Sequence, residues 1–188
     1  YEIHVTTAPR DGYEYAKKEV EKGEHIRFYA CGGDGTLYEV VNACACHENA
    51  EVAAFPLGSG NDFIRIFGDK KDLRNVADHV NGTVMDFDLI KCGDQYAINQ
   101  CSMGVDAEVC AKQADFKKLP LLSGEAAYTA ALLFCFIGKM KSRFTITIDD
   151  EEPFTSDVLF CVGANSRWYG GGYMAAPKAL TYDGLLDF

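Results

Sequence analysis

The stretch Ile26-Arg27-Phe28-Tyr29-Ala30-Cys31-Gly32-Gly33-Asp34-Gly35-Thr36-Leu37-Tyr38-Glu39-Val40-Val41 changes its period halfway along. Residues 25–30 form a short β-rich run, whereas Leu37, Val40, Val41 and Cys44 recur at the three-to-four spacing of a buried helix face. Between the two runs stand three glycines, an aspartate and a threonine. Strand, glycine loop and helix in that order predict a layered α/β unit built on a mainly parallel sheet. A second loop, Pro56-Leu57-Gly58-Ser59-Gly60-Asn61-Asp62-Phe63, follows the next β-rich run at 52–57 and takes the equivalent position. Two such loops after successive strands line one crevice at the carboxyl edge of a parallel sheet.

Working outward, residues 3–7 read as a further strand and 12–22 as a helix. Phe63, Ile66 and Phe67 mark a short helix, and 73–80 another. From Val84 the pattern turns to longer strands joined by tight turns. Runs 84–91 and 96–101 flank Cys92-Gly93-Asp94-Gln95, a predicted hairpin. Residues 125–141 read as the longest helix. Residues 143–148 and 158–163 read as strands around the acidic turn Asp149-Asp150-Glu151-Glu152-Pro153. A boundary near Asp86 divides the chain into an α/β domain, 1–86, and a strand-rich domain, 87–188. Both ends look cut: an apolar run begins at Ile3, and Leu185, Leu186 and Phe188 stop inside a strand-like pattern.

Composition narrows the functional classes. The 188 residues carry 18 basic and 28 acidic side chains, a net charge of −10, which excludes a nucleic-acid polycation. The eight cysteines show no C-x-x-C pairing, which argues against a disulfide scaffold or zinc site and for reduced thiols in the cytoplasm. The apolar run 126–138 is shorter than the ~20 residues that span a bilayer. Followed by Lys139, Lys141 and Arg143, it reads either as a core helix or as an interfacial segment that meets an anionic surface.

The first loop alone supports two readings. Its glycines and the helix N-terminus form an anion cradle in outline. Equally, it is a tight turn with Thr36 as N-cap and Glu39 completing a capping box. It has neither the Walker A ending nor the dinucleotide spacing. Asp34 beside a phosphate calls for a divalent cation, or else the carboxylate simply caps the helix.

Taken together, Gly32-Gly33-Asp34-Gly35-Thr36 and Pro56-Leu57-Gly58-Ser59-Gly60-Asn61-Asp62-Phe63 closely resemble the diacylglycerol kinase catalytic-domain family, which includes sphingosine and ceramide kinases and soluble bacterial lipid kinases. The similarity continues through Asp88, Asn99, Gly104 and Asp106, then Trp168-Tyr169-Gly170-Gly171-Gly172, Ala176-Pro177 and Asp183-Gly184. It implies a nucleotide-binding domain akin to NAD kinases and phosphofructokinases, followed by a β-sandwich-like lipid domain, both incomplete here. The implied activity is transfer of the γ-phosphate of MgATP to the hydroxyl of diacylglycerol or a similar lipid. An NAD-kinase-like metabolite kinase and a catalytically silent nucleotide- or lipid-binding homologue are the alternatives.

Residue by residue, the resemblance implies that Thr7, Gly32, Gly33, Asp34, Gly35, Thr36, Gly58, Ser59 and Asn61 contact ATP. Ser59 stands where the family usually has threonine. Asp34, Asp62 and Asp88 are implied in catalysis. Asp183, with the carbonyls of Leu180 and Leu185, is implied as a magnesium site. The family's general base, a glutamate, is expected beyond Phe188. The implied partners are a lipid substrate and a transient membrane surface, without nucleic acid, and the assembly is compatible with a homodimer. The implied location is cytoplasmic, peripheral on the membrane.

Overall fold

A computed structural model describes residues 1–69, 71–105, 107–109 and 141–188. The predicted helix at 125–141, the apolar run 126–138 and Asp106 lie outside the described residues, Lys141 apart. The described elements run α1 (Asp11–Val20), β1 (Ile26–Gly32), α2 (Asp34–Cys44), β2 (Ala50–Pro56), 3₁₀ turns at Phe63–Phe67 and Asp72–Arg74, and α3 (Val76–Asn81). There follow β3 (Ile90–Cys92), β4 (Gln95–Ala97), β5 (Gln100–Gly104), β6 (Ser142–Ile146), β7 (Phe154–Val158), β8 (Phe160–Ala164), β9 (Trp168–Tyr169) and β10 (Tyr173–Met174). The chain separates into two compact units, one of residues 1–101 and 164–187, the other of 102–163 with Phe188.

The first unit is built on β1 and β2, which pair in parallel from Ile26 opposite Ala50 to Gly32 opposite Pro56. A parallel pair requires a crossover, and α2 supplies it. Its stripe of Leu37, Val40, Val41 and Cys44 is buried together with Val20, Ala30, Phe63 and Ile64. In α1, acidic Asp11 and Glu14 in the first turn and basic Lys17 and Lys18 in the last complement the helix dipole. Gly12, Ala16 and Val20, four residues apart, form its buried side. Phe63, Phe67 and Phe87 stack edge to face with centroids 5.6–6.1 Å apart, so the 3₁₀ turn after the second glycine loop is anchored in apolar packing.

In the second unit β6 and β7 form an antiparallel hairpin, Ser142 opposite Val158 through Ile146 opposite Phe154, with the acidic turn between them. β5 pairs β8. Among the described residues no helix is long and apolar enough to cross a membrane.

Four sequence expectations change. Residues 3–7 form no strand; Ile3 and Val5 are each 75% exposed, and no described strand pairs with them. Alternation alone cannot make a strand without a ladder partner. Residues 84–89 are also irregular, because the Asp88 N–H donates to the carbonyl of Thr181 rather than into a ladder. Only Ile90–Cys92 pairs with Gln95–Ala97, which confirms the hairpin over a shorter length than predicted. The run 158–163 divides at Leu159 into the end of β7 and the start of β8.

Leu37 is 5% exposed at the centre of the α2 stripe. Leu37→Ala is expected to lower unfolding stability by about 2–5 kcal/mol, the usual cost of emptying a buried leucine site. Urea unfolding followed by circular dichroism measures this; a loss below about 1 kcal/mol would contradict the core assignment.

Candidate functional site

The two glycine loops meet backbone to backbone. Gly32 ends β1, and its carbonyl accepts the N–H groups of both Leu57 and Gly58, at 2.9 and 3.0 Å. Gly58 lies so close to Gly33 that a Cβ on Gly58 would overlap the Gly33 backbone, so only glycine permits the approach. Asn61, 4% exposed with φ 51°, closes the second loop on itself. Its Oδ1 accepts the Gly58 N–H at 3.2 Å and its Nδ2 donates to the Gly58 carbonyl at 2.6 Å. Asparagine is one of the few side chains that tolerate this left-handed conformation.

Asp34 joins the loops from the outside. Its two carboxylate oxygens accept the backbone N–H groups of Asn61 and Asp62, each at 2.7 Å. α2 begins at Asp34 with Gly33 as N-cap and no capping side chain, three residues earlier than a Thr36 cap requires. The expected capping box is therefore absent; Glu39 instead accepts the N–H of Arg10 at 2.9 Å. Thr36 sits in the first turn. Gly35 is exposed, and a Cβ built on it meets nothing within 4 Å. A shallow crevice beside the loops is lined by Gly32, Gly33, Asp34, Pro56 and Asn61 above the apolar Leu37 and Ile64.

Asp62 is buried at the start of the 3₁₀ turn. One carboxylate oxygen takes Arg65 Nε at 3.2 Å and the other takes the Gly171 N–H at 2.8 Å. Arg65 Nη2 also donates to the carbonyls of Gly60 and Gly171, both at 3.3 Å. The Gly170-Gly171-Gly172 segment is thus held against the second loop by one carboxylate and one guanidinium. Sequence reading passed over Arg65. The available signal was a base three residues after Asp62, which on a helical turn returns to the same face.

A second cluster forms around Asp88. Its Oδ2 accepts the Gly184 N–H at 2.7 Å, and its N–H reaches the Thr181 carbonyl at 2.8 Å. The fold therefore brings Asp88 to the Asp183-Gly184 turn, where Asp183 Oδ1 accepts the Leu185 N–H at 3.1 Å. Leu180 is half-buried and Leu185 exposed. Asn165, fully buried and unforeseen from sequence, fixes this cluster by donating to the carbonyls of Asp88 and Ile98 at 2.7 and 2.9 Å.

Thr7 lies outside any strand. Its N–H and hydroxyl donate to Asp11 Oδ2 at 2.7 and 3.1 Å. The Thr7 N–H, then His4 and the Thr7 hydroxyl, hold the Asp11 carboxyl below its ordinary value. Ser59 is exposed in the second loop. Among the described residues no three acidic, histidine or cysteine side chains gather as a metal site. The cation-relevant oxygens are paired instead: a Cβ on Gly60 would lie 2.6 Å from Asp34 Oδ2 and 3.9 Å from Asp62 Oδ2, so two carboxylates flank one backbone position.

Arg65→Ala removes the ion pair with Asp62, the contact to the Gly60 carbonyl and the one carbonyl contact, to Gly171, that Arg65 makes with the triple-glycine segment. Hydrogen exchange is expected to accelerate by about tenfold or more at 170–172, matching the roughly 1–3 kcal/mol carried by bonds to charged groups. Arg65→Lys should restore little, because one ammonium cannot span the same fork of acceptors. Unchanged protection in the Ala variant would show that Asp62 alone holds the segment.

Comparison with known proteins matches residues 1–92 to the Diacylglycerol kinase catalytic domain and residues 99–188 to the YegS C-terminal NAD kinase beta sandwich-like domain. A Shewanella frigidimarina protein named "Probable lipid kinase YegS-like" is 33% identical over 161 residues, 83% of this chain and 51% of its own length. A Pseudomonas putida protein of the same name is 29% identical over 190 residues, covering 99% of this chain and 62% of its own. The solved structure of a diacylglycerol kinase from Bacillus anthracis str. Sterne shares the fold, with a TM-score of 0.67 at 21% identity over 96% of this chain and 59% of that one. The chain thus spans between about half and three fifths of the relatives' lengths. The two glycine loops, the strand-rich second half and these matches agree, and the chain belongs to the diacylglycerol kinase catalytic-domain family.

Proposed function

We propose that the protein containing this chain is a lipid kinase that moves the γ-phosphate of MgATP to the hydroxyl of diacylglycerol or a similar lipid, acting from the cytoplasm at a membrane surface. The reading divides the chain into an ATP-binding part, 1–86, and a lipid-binding part, 87–188. The observation that carries it is the Asp34 carboxylate holding the second glycine loop against the uncapped start of α2.

The residues present fit a nucleotide's phosphates. The first-turn amides of Asp34, Gly35 and Thr36 and the backbone of Gly32 and Gly33 offer neutral donors beside the crevice, and Gly35 leaves the space open. Asn61 lines the crevice as well, while Gly58, Ser59 and Thr7 are assigned to the nucleotide through the family alone. Magnesium would neutralise phosphate charge. Asp34 and Asp62, which flank Gly60, are the carboxylates assigned to it there. Asp88 and the Leu180, Asp183 and Leu185 turn form the second assigned site. Apart from the metal, this chain's contribution is positioning: it fixes both loops and keeps a buried carboxylate beside them. Phosphoryl transfer depends on such placement more than on covalent chemistry.

The test is radiolabelled phosphate transfer by the protein to a panel of micellar lipids. Labelled lipid is expected; labelled NAD with no lipid product would move the protein to the metabolite-kinase branch, and nucleotide binding without any transfer would make it a silent homologue. Asp34→Asn is expected to reduce transfer on the order of 100-fold, the scale of losing one preorganised electrostatic contact. Gly35→Ala separates folding from binding. Its methyl meets no protein atom and favours the helix, so thermal stability should hold or rise slightly. Nucleotide affinity should fall by about tenfold or more if phosphate occupies that space, an effect of about 1.4 kcal/mol. Equal affinity in calorimetry would place the phosphate elsewhere.

A further inference from the structure

Two thiols face each other in a place the proposed chemistry does not use. Cys92 ends β3 and is exposed; Cys101, in β5, is half-buried. The Cys101 thiol donates to the Cys92 sulfur at 3.3 Å. The other described cysteines have different surroundings. Cys44 is buried in the core, where burial pushes its thiol up to about 12 and keeps it inert. Cys46 donates instead to the Tyr96 hydroxyl at 3.4 Å.

The two facing sulfurs differ in access. Burial, followed by the contact with Cys92, raises the Cys101 thiol above its ordinary value. Cys101 therefore keeps its proton and directs it at the Cys92 sulfur. A reagent from solvent meets Cys92 first, with Cys101 waiting behind it as a resolving thiol.

We propose that Cys92 and Cys101 are a modification site that reacts with a small-molecule disulfide of the glutathione class and closes to a reversible intramolecular disulfide. Cys92 gives its proton to solvent, and its thiolate attacks one sulfur of the reagent. The reagent's S–S bond breaks, the departing thiolate takes up a proton, and a mixed disulfide remains on Cys92. Cys101 then loses its proton and attacks the Cys92 sulfur. The second reagent thiolate leaves and is protonated. Two protein thiols are oxidised and one reagent disulfide is reduced to two thiols, with no net proton or electron left over. The sulfurs must close from the observed contact to about 2.05 Å, a movement within side-chain reach.

The cross-link would have a structural consequence. Cys101 directly follows Gln100, whose Nε2 donates to the Ser166 carbonyl at 2.9 Å, and Asn99, whose Nδ2 donates to the Trp168 carbonyl at 2.9 Å. A disulfide would tie the β3–β4 hairpin to the strand that holds the 165–168 segment.

The experiment treats the folded, unmutated protein with mixtures of reduced and oxidised glutathione, blocks remaining thiols before denaturation, and maps the peptides by mass. The expected product has lost two of the chain's eight thiols, carries a Cys92–Cys101 linked peptide, and recovers both thiols with dithiothreitol. Cys101→Ser should stop at a glutathione adduct on Cys92. Cys92→Ser should form neither the adduct nor the cross-link. A linked peptide through any other cysteine, a wild-type protein that stops at the adduct, or unmodified Cys92 would overturn the proposal. The wild-type map decides this without either variant having to fold.

Discussion

The architecture of the first unit depends on one carboxylate whose two oxygens each accept a backbone N–H from a loop about 27 residues away. Asp34 sits on the first turn of α2, and its acceptors face Asn61 and Asp62. Besides it, the Gly32 carbonyl and the close Gly58–Gly33 contact attach the second loop to the first. Such contacts set distance, whereas a carboxylate held by two amides also sets direction. That direction places Asp62 where it can accept from Gly171 and pair with Arg65. Three segments remote in sequence are thereby fixed by two acidic side chains acting only as acceptors. The aromatic cluster of Phe63, Phe67 and Phe87 backs them, so loop geometry is transmitted to the core rather than left to the loops.

The same arrangement resolves an electrostatic difficulty in the proposed function. A chain with net charge −10 repels an anion at long range. That field is screened over about 8 Å at physiological ionic strength, while an amide donor acts at contact. The carboxylates nearest the cradle already have donors: Asp34 has two amides, Asp62 an amide and a guanidinium. Their charge is directed into protein hydrogen bonds, and the start of α2 carries no capping side chain. Short-range backbone donors can then outweigh the overall charge.

How much of this was legible in the sequence follows from how local each interaction is. The change of period around Gly32 marked β1, the loop and α2, and the Leu37, Val40, Val41 and Cys44 stripe fell where a 3.6-residue repeat puts it. The hairpin at Gly93-Asp94 was equally local. Three misreadings share a cause. Ile3 and Val5 alternate as a strand would, but alternation does not supply a partner. The 84–89 run is apolar and alternating, yet Phe87 packs into an aromatic cluster and Asp88 bonds to Thr181, contacts made by the tertiary fold. Thr36 and Glu39 match the capping-box spacing, but Glu39 is drawn away to Arg10 and the helix starts earlier. For the site, sequence singled out Asp34, Asn61 and Asp62. That they would join the loops, or that Arg65 would clamp Gly171, depends on pairings across 27 and 106 residues.

The segment 165–171 shows why so many polar side chains are committed to one short stretch. Asn165 donates to Asp88 and Ile98, Asn99 to Trp168, and Gln100 to Ser166, while Asp62 and Arg65 hold Gly171. Apolar packing would stabilise such a stretch at lower desolvation cost, since a buried amide without all its partners is expensive. Indeed Asn99 Oδ1, Gln100 Oε1, Asn165 Oδ1 and Ser166 Oγ are buried with no hydrogen-bond partner among the described residues. What amides supply and apolar side chains do not is register: each donates to particular carbonyls, one or, for Asn165, two, so a slip by one residue breaks these bonds. A segment that touches the Asp88 cluster at Asn165 and the Asp62 cluster at Gly171 gains from that fixed register, because both aspartates are then placed by the same seven residues.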